Sequence, residues 1–365
     1  MKRIPIIKYT VYGNNFVIID EIQTPSLTES EKTKFAYQAT NINFGIGSDN
    51  FLVIQPCTPA ILKEINNSRN YWTNIPDPRN ADYIFRMFES DGTEAYSCGN
   101  GLMSIANYLF HQYDAISARI LTEIPTPTPK VVSIGTDPDE KSNWAKMVQP
   151  RRMPKEMADP SIRQYISGEV DLVANIPIDK IRQTDAMQFF ANEGSLTVSG
   201  YLVFTGEPHF VIFADTGFST TEIANRLFPS LSKKNKFSNY PEKRTSTGTA
   251  FVDFVGKYFA REYSNYFPVG INLNFARSVD DSKILEHRCF ERGINHETLA
   301  CGTGALAVAF VAKELNMVTT SKVVVWPHRC RWDAPNAEIK VEECSDGWLL
   351  KGKPCMLFEG TFTWQ

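Results

Sequence analysis

The sequence has 365 residues, of which 42% are hydrophobic and 22% charged, and its formal net charge is -3. This length and balance are typical of a globular protein with room for two domains, each with its own core. A small negative charge gives no reason to expect nucleic acid or an acidic membrane surface as a partner. We therefore expect neither nucleic acid nor a membrane among the partners.

The number and spacing of the cysteines indicate the redox compartment of the protein. The seven cysteines form no C-x-x-C and no Cys/His metal pattern; they stand at positions 57, 98, 289, 301, 330, 344 and 355. An odd, scattered set argues against a disulfide framework and favours a reducing compartment. The first residues lack the apolar segment of a signal peptide, and no run approaches the ~18 apolar residues of a membrane span. We expect a cytoplasmic protein without a bound metal.

The first part of the chain predicts a hairpin and a helix. Two apolar runs, Ile4 to Thr10 and Phe16 to Asp20, flank a turn rich in Gly and Asn. Ser26 to Thr40 has the pattern of a surface helix, and Phe51 to Gln55 that of a strand. Residues 57–80 are polar and contain prolines, so we interpret them as an inserted surface excursion.

The sequence predicts a strand from Asp82 to Phe88. The short segment Glu94 to Gly101 follows it, and the residues after this segment have the spacing of a helix. Arg119 to Glu123 is strand-like, and three prolines beyond it mark a crossing between halves of the chain. Residues 136–166 are charged and interrupted by prolines, which favours loop or mobile helix over core.

The second part is richer in strand patterns. Lys233 to Thr249, within an insertion near residues 233–250, is basic and polar and is interpreted as solvated. One strongly apolar helix follows Cys301. Few helices and many short strands indicate an α+β fold. The predicted strands are Leu196 to Phe204, Phe210 to Phe213, Phe267 to Phe275, Leu285 to Phe290, Lys322 to Trp326, Glu338 to Glu342, Trp348 to Lys351 and Cys355 to Phe362.

One motif, E-x-x-x-C-G-x-G, occurs twice. It covers Glu94 to Gly101 and again Glu297 to Gly304, and each copy runs directly into an apolar helical segment. The match continues loosely upstream, where Arg86-Met87-Phe88-Glu89 corresponds to Arg288-Cys289-Phe290-Glu291. The chain therefore has two related halves, and each places a cysteine at the start of a helix.

A helix start changes the chemistry of a thiol. The first N–H groups of a helix lack partners and carry partial positive charge, so the pKa of a thiol there falls from ~8.5 to ~3.5–7.5. The glycines leave backbone N–H groups open to a carboxylate. If Cys98 and Cys301 face each other, one thiolate removes a proton from an α-carbon while the opposite thiol returns one. That chemistry defines a two-base racemase or epimerase.

Two simpler interpretations stay open. A cysteine before an apolar helix is commonly a small core residue, although the paired copies make coincidence less probable. A redox disulfide between Cys98 and Cys301 would leave the repeated glycines unexplained. His209, beside Pro208, is more often a structural histidine than a catalytic one.

These motifs and loops resemble the diaminopimelate epimerase family, the pyridoxal-independent enzymes of lysine and peptidoglycan precursor synthesis. The most specific segment runs from Phe290 to Ala305 and reads F-E-R-G-x-x-x-E-T-L-A-C-G-T-G-A. The resemblance implies two similar domains, each a curved, mostly antiparallel sheet wrapped around a central helix, with the active site in the cleft between them. We expect domains at residues 1–128 plus 355–365 and at residues 129–354.

The resemblance also implies site residues. Cys98 and Cys301 would be the acid/base pair, with their sulfurs within a substrate's width of each other. Gly99, Asn100, Gly302 and Thr303 would hold the α-carboxylate. The carbonyls of Glu291 and Arg292 would take the α-ammonium. Further positions that line the site or reach the far end of the substrate are Asn14, Asn50, Asn272 and the Arg292 side chain.

Two departures from the family pattern concern substrate choice. Where the family has F-N-x-D-G and G-N-P-H, this chain places Glu89 and Glu207. A like-charge pair at ~4 Å costs on the order of 1 kcal/mol in water and ~4 kcal/mol at the effective dielectric of a protein surface. Arg292 could neutralise one glutamate, and both side chains could instead pair locally. Asn15 in place of the usual Asp is a third departure.

The expected function is therefore cofactor-independent epimerisation of LL- to meso-diaminopimelate. A racemase of lysine, ornithine, arginine or histidine is the alternative, because two glutamates favour a cationic distal group. Alternatives of another class are a non-catalytic binding protein on the same fold and an isomerase of the phenazine-biosynthesis type without the thiol pair. The partner is an amino-acid substrate, no cofactor is needed, and a homodimer is a guess.

Overall fold

The computed structural model describes residues 1–179, 195–219, 222–229, 242–280 and 283–364. The chain divides into two compact units, residues 1–147 with 349–365 and residues 148–348. Mixed sheets and few helices build both units, which confirms the α+β class in its broad form.

The first unit contains three helices and a mixed sheet. Its helices are α1 (Glu29–Thr40), α2 (Pro59–Arg69) and α3 (Gly99–Tyr113). Its strands before the boundary are β1 (Lys2–Val11), β2 (Asn14–Asp20), β3 (Asn50–Pro56), β4 (Tyr83–Phe88), β5 (Glu94–Ala95), β6 (Ser117–Thr122), β7 (Lys130–Asp137) and β8 (Ser142–Met147).

Strand pairing in the first unit follows a simple series. β1 pairs antiparallel with β2, β2 parallel with β3, and β3 antiparallel with β4. β4 then pairs parallel with β6 and antiparallel with the short β5, and β6, β7 and β8 continue antiparallel. The β1–β2 hairpin turns at Tyr12 and Gly13, which both have positive φ, as a two-residue turn of right-handed strands requires.

Helices cover this sheet with apolar faces. α1 begins at a Thr28 capping box and buries Phe35 against Phe51, with their ring centroids 5.1 Å apart. α3 lies against β1, β6, β7 and β8 and buries most of its first turns. The helix that follows the first cysteine motif is therefore a core element of this unit.

The described residues of the second unit form three α-helices and most of the strands not yet named. Its helices are α4 (Glu222–Leu227), α5 (Glu242–Glu262) and α6 (Gly302–Glu314). Its strands are β9 (Gln164–Ser167), β10 (Val170–Asp179), β11 (Ser195–Phe204), β12 (Pro208–Phe213), β13 (Asn272–Asp280), β14 (Ile284–Glu291), β15 (His296–Thr298), β16 (Lys322–Pro327) and β17 (Ile339–Cys344). β18 (Gly347–Gly352) spans the unit boundary, and β19 (Cys355–Trp364) belongs to the first unit.

The second unit repeats the pairing series of the first. β11 pairs antiparallel with β12, β12 parallel with β13, and β13 antiparallel with β14. β14 pairs antiparallel with the short β15 and parallel with β16, which pairs antiparallel with β17. In each unit a short strand, β5 or β15, pairs with the fourth strand of the series. The motif cysteine follows this short strand.

α6 is the apolar helix of the second unit. Nine consecutive residues from Gly304 to Ala312 are buried, against β11, β12, β13, β14, β16 and β17. α5 packs closely against β14: a Cβ on Gly256 would lie 2.2 Å from the ring of Phe290 on β14. Both helices therefore fix β14 and the residues around Cys301.

The unit boundaries differ from the predicted ones. The sequence predicts the crossing at the proline-rich segment, but β7 follows this segment and pairs with β6 in the first unit. Residues 129–147 therefore join the first unit, as do residues 349–354 near the C-terminus. Prolines marked a loop correctly, and strand pairing beyond the loop decided the boundary.

Residues 57–80, interpreted from the sequence as an inserted surface excursion, contain a regular helix. Thr58 caps a helix there and Pro59 is its first residue, a favourable pair for a helix start. Leu62 and Ile65 lie on one face and are buried with Trp72. Two apolar residues at helical spacing were enough to anchor α2.

The prediction of loop or mobile helix at residues 136–166 was wrong in part. β8 and part of β9 lie there. On β8, the buried Asn143 donates to Thr136 at 2.7 Å and accepts from Asn107 at 3.0 Å. Of the insertion at 233–250, residues 242–250 belong to α5, and residues 233–241 lie outside the described residues.

Among the described residues, no helix is both long and apolar enough to cross a membrane.

Candidate active site

A buried arginine–glutamate pair precedes the first cysteine. Arg86 on β4 reaches both carboxylate oxygens of Glu94 on β5, each at 2.7 Å. The Arg86 side chain is fully buried and also pairs with Glu29. This fork-like pair joins two neighbouring strands, and it fixes the turn that leads to Cys98.

The second unit repeats the pair. Arg288 on β14 contacts the two carboxylate oxygens of Glu297 at 2.6 and 2.9 Å, and both side chains are 0% exposed. Burial alone would raise the pKa of Glu297, but the Arg288 charge and hydrogen bonds bring the net pKa below its usual range. The glutamate of each E-x-x-x-C-G-x-G motif is therefore a structural anchor, a role that the sequence did not reveal.

Cys98 caps the N-terminus of α3 without a side-chain bond to the helix. It is half-buried, and its thiol donates to the Asn14 side-chain oxygen at 3.7 Å. Asn100 donates to the same oxygen at 3.5 Å. The structure thus places four of the predicted site residues, Asn14, Cys98, Gly99 and Asn100, next to one another.

Cys301 caps the N-terminus of α6 and is buried. Its sulfur accepts a hydrogen bond from the Gly304 N–H at 3.3 Å and lies 3.5 Å from the Thr303 hydroxyl. Three of the predicted site residues, Cys301, Gly302 and Thr303, therefore lie next to one another at the start of α6.

The motif glycines also have packing reasons. A Cβ on Gly99 would lie 2.9 Å from Leu350, and one on Gly304 would lie 2.4 Å from the Asn274 side-chain oxygen. Larger residues there would displace the helix start. The glycines consequently serve close approach as well as the open N–H groups expected from the sequence.

A buried polar chain lies next to α6. Asn274 is hydrogen-bonded to His209 and to His287, both at 3.0 Å. Burial lowers the pKa of His209 to about 3, so this imidazole is neutral near pH 7. The pairing supports a structural role for His209, although its Nε2 atom has no partner among the described residues.

Glu89 and Asn50 face each other in the first unit. The Asn50 amide donates to the Glu89 carboxylate at 2.9 Å. Burial raises the pKa of Glu89, an effect that this hydrogen bond opposes. The predicted departure at position 89 therefore occupies a polar, half-buried position beside another predicted site residue.

Glu207 is paired within the second unit. Arg292 donates to its carboxylate through Nε at 2.9 Å and through Nη2, and also donates to the Val269 carbonyl at 2.6 Å. The Asn272 side-chain oxygen accepts from the Arg292 backbone N–H at 2.9 Å. Arg292 thus neutralises one glutamate, one of the two outcomes considered from the sequence.

Glu291 and Cys289 complete the surroundings of Cys301. The two sulfurs and a Glu291 carboxylate oxygen all lie within 4.8 Å of one another. Burial raises the pKa of both Glu291 and Cys289. The Glu291 carbonyl, expected to take the α-ammonium, accepts from the Asn295 N–H at 2.9 Å, which leaves one lone pair.

Cys289 was not predicted as a site residue. It belongs to no motif, and the only signal in the sequence is its place in the loose upstream match, where it corresponds to Met87. Its position inside β14 gives it the appearance of a core residue. Tertiary packing alone brings it beside Cys301.

No family model matches the sequence. Individual relatives do match along almost the whole chain. A protein named diaminopimelate epimerase from Archaeoglobus fulgidus is 27% identical over 98% of this chain and 96% of its own length. Another, from Coxiella burnetii, is 29% identical over 86% of this chain and 85% of its own length.

Solved structures share the fold. A phenazine biosynthesis protein of the PhzF family from Bacillus anthracis has a TM-score of 0.51 at 13% identity and covers both chains completely. A hydroxyproline epimerase from Agrobacterium vitis has a TM-score of 0.53 at 10% identity, over 99% of this chain and 92% of its own. At such identities the likeness concerns the fold alone.

The repeated fold, the paired helix-start cysteines and the relatives define an isomerase of the amino-acid epimerase and racemase class. Within that class, the resemblance of this chain to the diaminopimelate epimerase family is confirmed by relatives that match over 98% and 86% of this chain.

Proposed function

We propose that the protein epimerises the α-carbon of an amino acid without a cofactor, with Cys98 and Cys301 as the two acid/base groups. One observation carries the proposal: each motif cysteine is the N-cap residue of a helix that begins with glycine. One cysteine takes the α-proton as a thiolate, and the other donates a proton to the opposite face of the carbon.

The surroundings of the two thiols support this division of labour. An α-proton is a weak acid, so its removal needs a base held close and a stabilised carboxylate. The first N–H groups of the two helices, at Gly99, Asn100, Gly302 and Thr303, have no partner within the helix and would hold the carboxylate, as they would any small anion at a helix start. His209, with its pKa lowered to about 3, is neutral near pH 7 and adds no charge that would compete with it.

The experiment replaces each cysteine separately. Cys98→Ala and Cys301→Ala should each lower the rate of isomerisation by at least ~10²–10⁴-fold, because each removes a general acid or base. The wild-type protein in D2O should place deuterium on the α-carbon, which NMR follows directly. Cys57→Ala and Cys330→Ala, two cysteines outside the motifs, are matched controls and should retain activity.

Full turnover after the loss of either motif cysteine would contradict the mechanism. Activity that requires added pyridoxal phosphate would contradict it as well. Thiol alkylation adds an independent test, since a candidate amino acid should protect Cys98 and Cys301 together.

For the substrate, we propose diaminopimelate and the conversion of the LL to the meso form. Relatives over the whole chain carry the name diaminopimelate epimerase, which supports this choice. Asn14, Asn50, Asn272 and Arg292 supply polar groups for the distal end of such a substrate. The product would serve lysine and peptidoglycan precursor synthesis.

A basic amino acid is the second candidate, and the Glu207–Arg292 pair favours it. Arg292 would hold a distal carboxylate, yet it already contacts Glu207 and the Val269 carbonyl. A substrate with a second carboxylate must compete with Glu207 for this guanidinium. Lysine, ornithine, arginine or histidine carries no second carboxylate and avoids that competition.

A substrate panel separates the two candidates. The α-proton exchange of LL-diaminopimelate and of basic L-amino acids is followed by NMR in D2O. Exchange with diaminopimelate alone would contradict the charge argument. Exchange with lysine or arginine that is lost in a Glu89→Asn, Glu207→Asn double variant would support the second candidate.

A further inference from the structure

Three metal-ligating groups converge beside α6, and the expected reaction uses only one of them as a base. Cys289 and Glu291 lie on β14, and Cys301 lies at the start of α6. Their two sulfurs and a carboxylate oxygen are within 4.8 Å of one another. The sequence separates these residues, so no metal pattern is visible in it.

The spacing suits a single tetrahedral cation. Zinc binds thiolate sulfur at ~2.3 Å and carboxylate oxygen at ~2.0–2.2 Å, so two sulfurs on one ion lie about 3.8 Å apart. Groups already within 4.8 Å of one another reach that arrangement through about 1 Å of side-chain movement. Three protein ligands leave a fourth position open.

The donor set selects the class of metal. Two thiolates favour soft or borderline cations such as Zn²⁺ and Cd²⁺, whereas Mg²⁺ and Ca²⁺ prefer oxygen ligands. Cys289 is 2% exposed and Cys301 6% exposed, so a bound ion would be largely shielded from water. Desolvated anionic ligands hold a divalent cation strongly, because the ion replaces charge stabilisation that water supplies elsewhere.

A cation entering the site would form two metal–sulfur bonds and one metal–oxygen bond, and each proton that it displaces from a ligand would pass to solvent. No oxidant or further reactant is needed.

We propose that Cys289, Glu291 and Cys301 form a binding site for one thiophilic divalent cation, and that an ion bound there blocks isomerisation by occupying the Cys301 sulfur. The binding site stands on geometry alone. The inhibitory effect rests on the proposed function, because it requires Cys301 to act as a base.

The binding test uses the full-length protein, reduced with a phosphine so that no added thiol competes for metal. Titration with Cd²⁺ should produce thiolate-to-cadmium charge-transfer absorption that saturates at one equivalent. Cys289→Val should weaken binding at least ~10-fold, since removal of a ligand costs no less than the 10–100-fold of an outer-shell change. Cys289→Ser and Glu291→Gln serve as second variants if the valine variant does not fold.

Two matched controls locate the effect. Cys330→Val removes another buried cysteine of the same unit and should leave Cd²⁺ binding unchanged. Met87→Val alters the corresponding position in the first unit and should also leave it unchanged. Equal Cd²⁺ binding by the wild-type protein and a folded Cys289 variant would overturn the proposed site.

Inhibition is measured separately with Zn²⁺. Zn²⁺ should inhibit the wild-type enzyme, and Cys289→Val should need at least ~10-fold more Zn²⁺ for the same inhibition. Equal inhibition of both would overturn the proposed blockade. If both motif cysteines prove essential but no cation binds, the proposed metal site is wrong and the proposed function stands. If a cation binds but the protein isomerises no amino acid, the metal site stands and the proposed function is wrong.

Discussion

The two cysteine motifs share a frame but differ in what surrounds the thiol. Both follow a buried arginine–glutamate pair, and both cap a helix at its first turn. Cys98 is half-buried and contacts an amide oxygen, whereas Cys301 is buried and accepts a backbone hydrogen bond. The order of strand pairing is therefore repeated in the two units, whereas the burial and the hydrogen-bond partners of the two thiols differ.

The hydrogen-bond partners of the two sulfurs differ accordingly. The Cys301 sulfur accepts from the Gly304 N–H at 3.3 Å and lies 3.5 Å from the Thr303 hydroxyl, whereas the Cys98 thiol donates to the Asn14 side-chain oxygen at 3.7 Å. The two sides of the proposed reaction therefore have separate surroundings, and each can be changed by its own substitution.

The largest expected effect is a loss of stability when the buried arginine of either pair is replaced. Arg86→Met and Arg288→Met should each lower the free energy of unfolding by about 3–5 kcal/mol, because a buried glutamate loses its partner. Arg86 also pairs with Glu29, so the first unit should lose at least as much as the second. Hydrogen exchange followed by mass spectrometry resolves the two units, and denaturant titration gives the total.

An exposed pair is the control for that comparison. Arg119 and Asp82 have exposed side-chain fractions of 51% and 42%, so Arg119→Met should cost less than about 1 kcal/mol. A similar loss for Arg119→Met and Arg288→Met would show that burial of the pair does not matter.

Thiol reactivity sharpens the comparison. Alkylation by iodoacetamide at pH 7 should modify Cys98 at least ~10-fold faster than Cys289, because burial raises the Cys289 pKa and each pKa unit lowers the thiolate fraction tenfold. Peptide mass spectrometry after timed quenching measures each site. Faster labelling of Cys289 than of Cys98 would be the opposite of what burial requires.

Acid should affect the units unequally. Folding lowers the pKa of His209, to about 3, and of His328, mainly through burial, while an unfolded histidine has a pKa of ~6.5. Below pH 6.5 the unfolded chain binds more protons, so stability falls as pH falls, by up to about 1.4 kcal/mol per pH unit for each histidine. Hydrogen exchange at pH 7, 6 and 5 should show the loss in the second unit.

The first unit supplies the reference for this pH dependence. Its histidine, His111, is exposed. Uniform loss of protection in both units between pH 7 and 5 would contradict the assignment to buried histidines.

The smallest expected effect concerns one hydroxyl. Thr303→Val removes the hydroxyl that lies 3.5 Å from the Cys301 sulfur. A typical hydrogen bond is worth about 1 kcal/mol, so the alkylation rate of Cys301 at pH 7 should change by about fivefold at most. Cys98 in the same sample is the internal reference, and an equal change at Cys98 would indicate a global disturbance.

Local pattern predicted most of the fold. The hairpin at the N-terminus, the helix after each cysteine and most strands predicted in the second part follow from apolar runs and turn residues, which act over a few positions; β13 begins only at Asn272. α2 was missed because a polar composition concealed Leu62 and Ile65, which Trp72 covers only in the folded unit. Short amphipathic helices depend on such tertiary cover.

The candidate site was predictable where a motif repeats, and not where strands bring residues together. Repetition identified Cys98, Cys301 and the glycines. The pairing of Arg288 with Glu297 depends on the β14–β15 hairpin, and the approach of Cys289 to Cys301 depends on the packing of α6. Neither distance is encoded by spacing along the chain.

The pairing of β19 with β1 has a consequence for synthesis. β1 lies near the beginning of the chain, and β19 supplies its antiparallel partner from residues Cys355–Trp364. On the ribosome, residues 148–348 emerge as an uninterrupted segment and can complete their own strand series first. The first unit is translated earlier, but one edge of β1 stays unpaired until β19 leaves the exit tunnel. The unit that is synthesised first therefore completes its fold last.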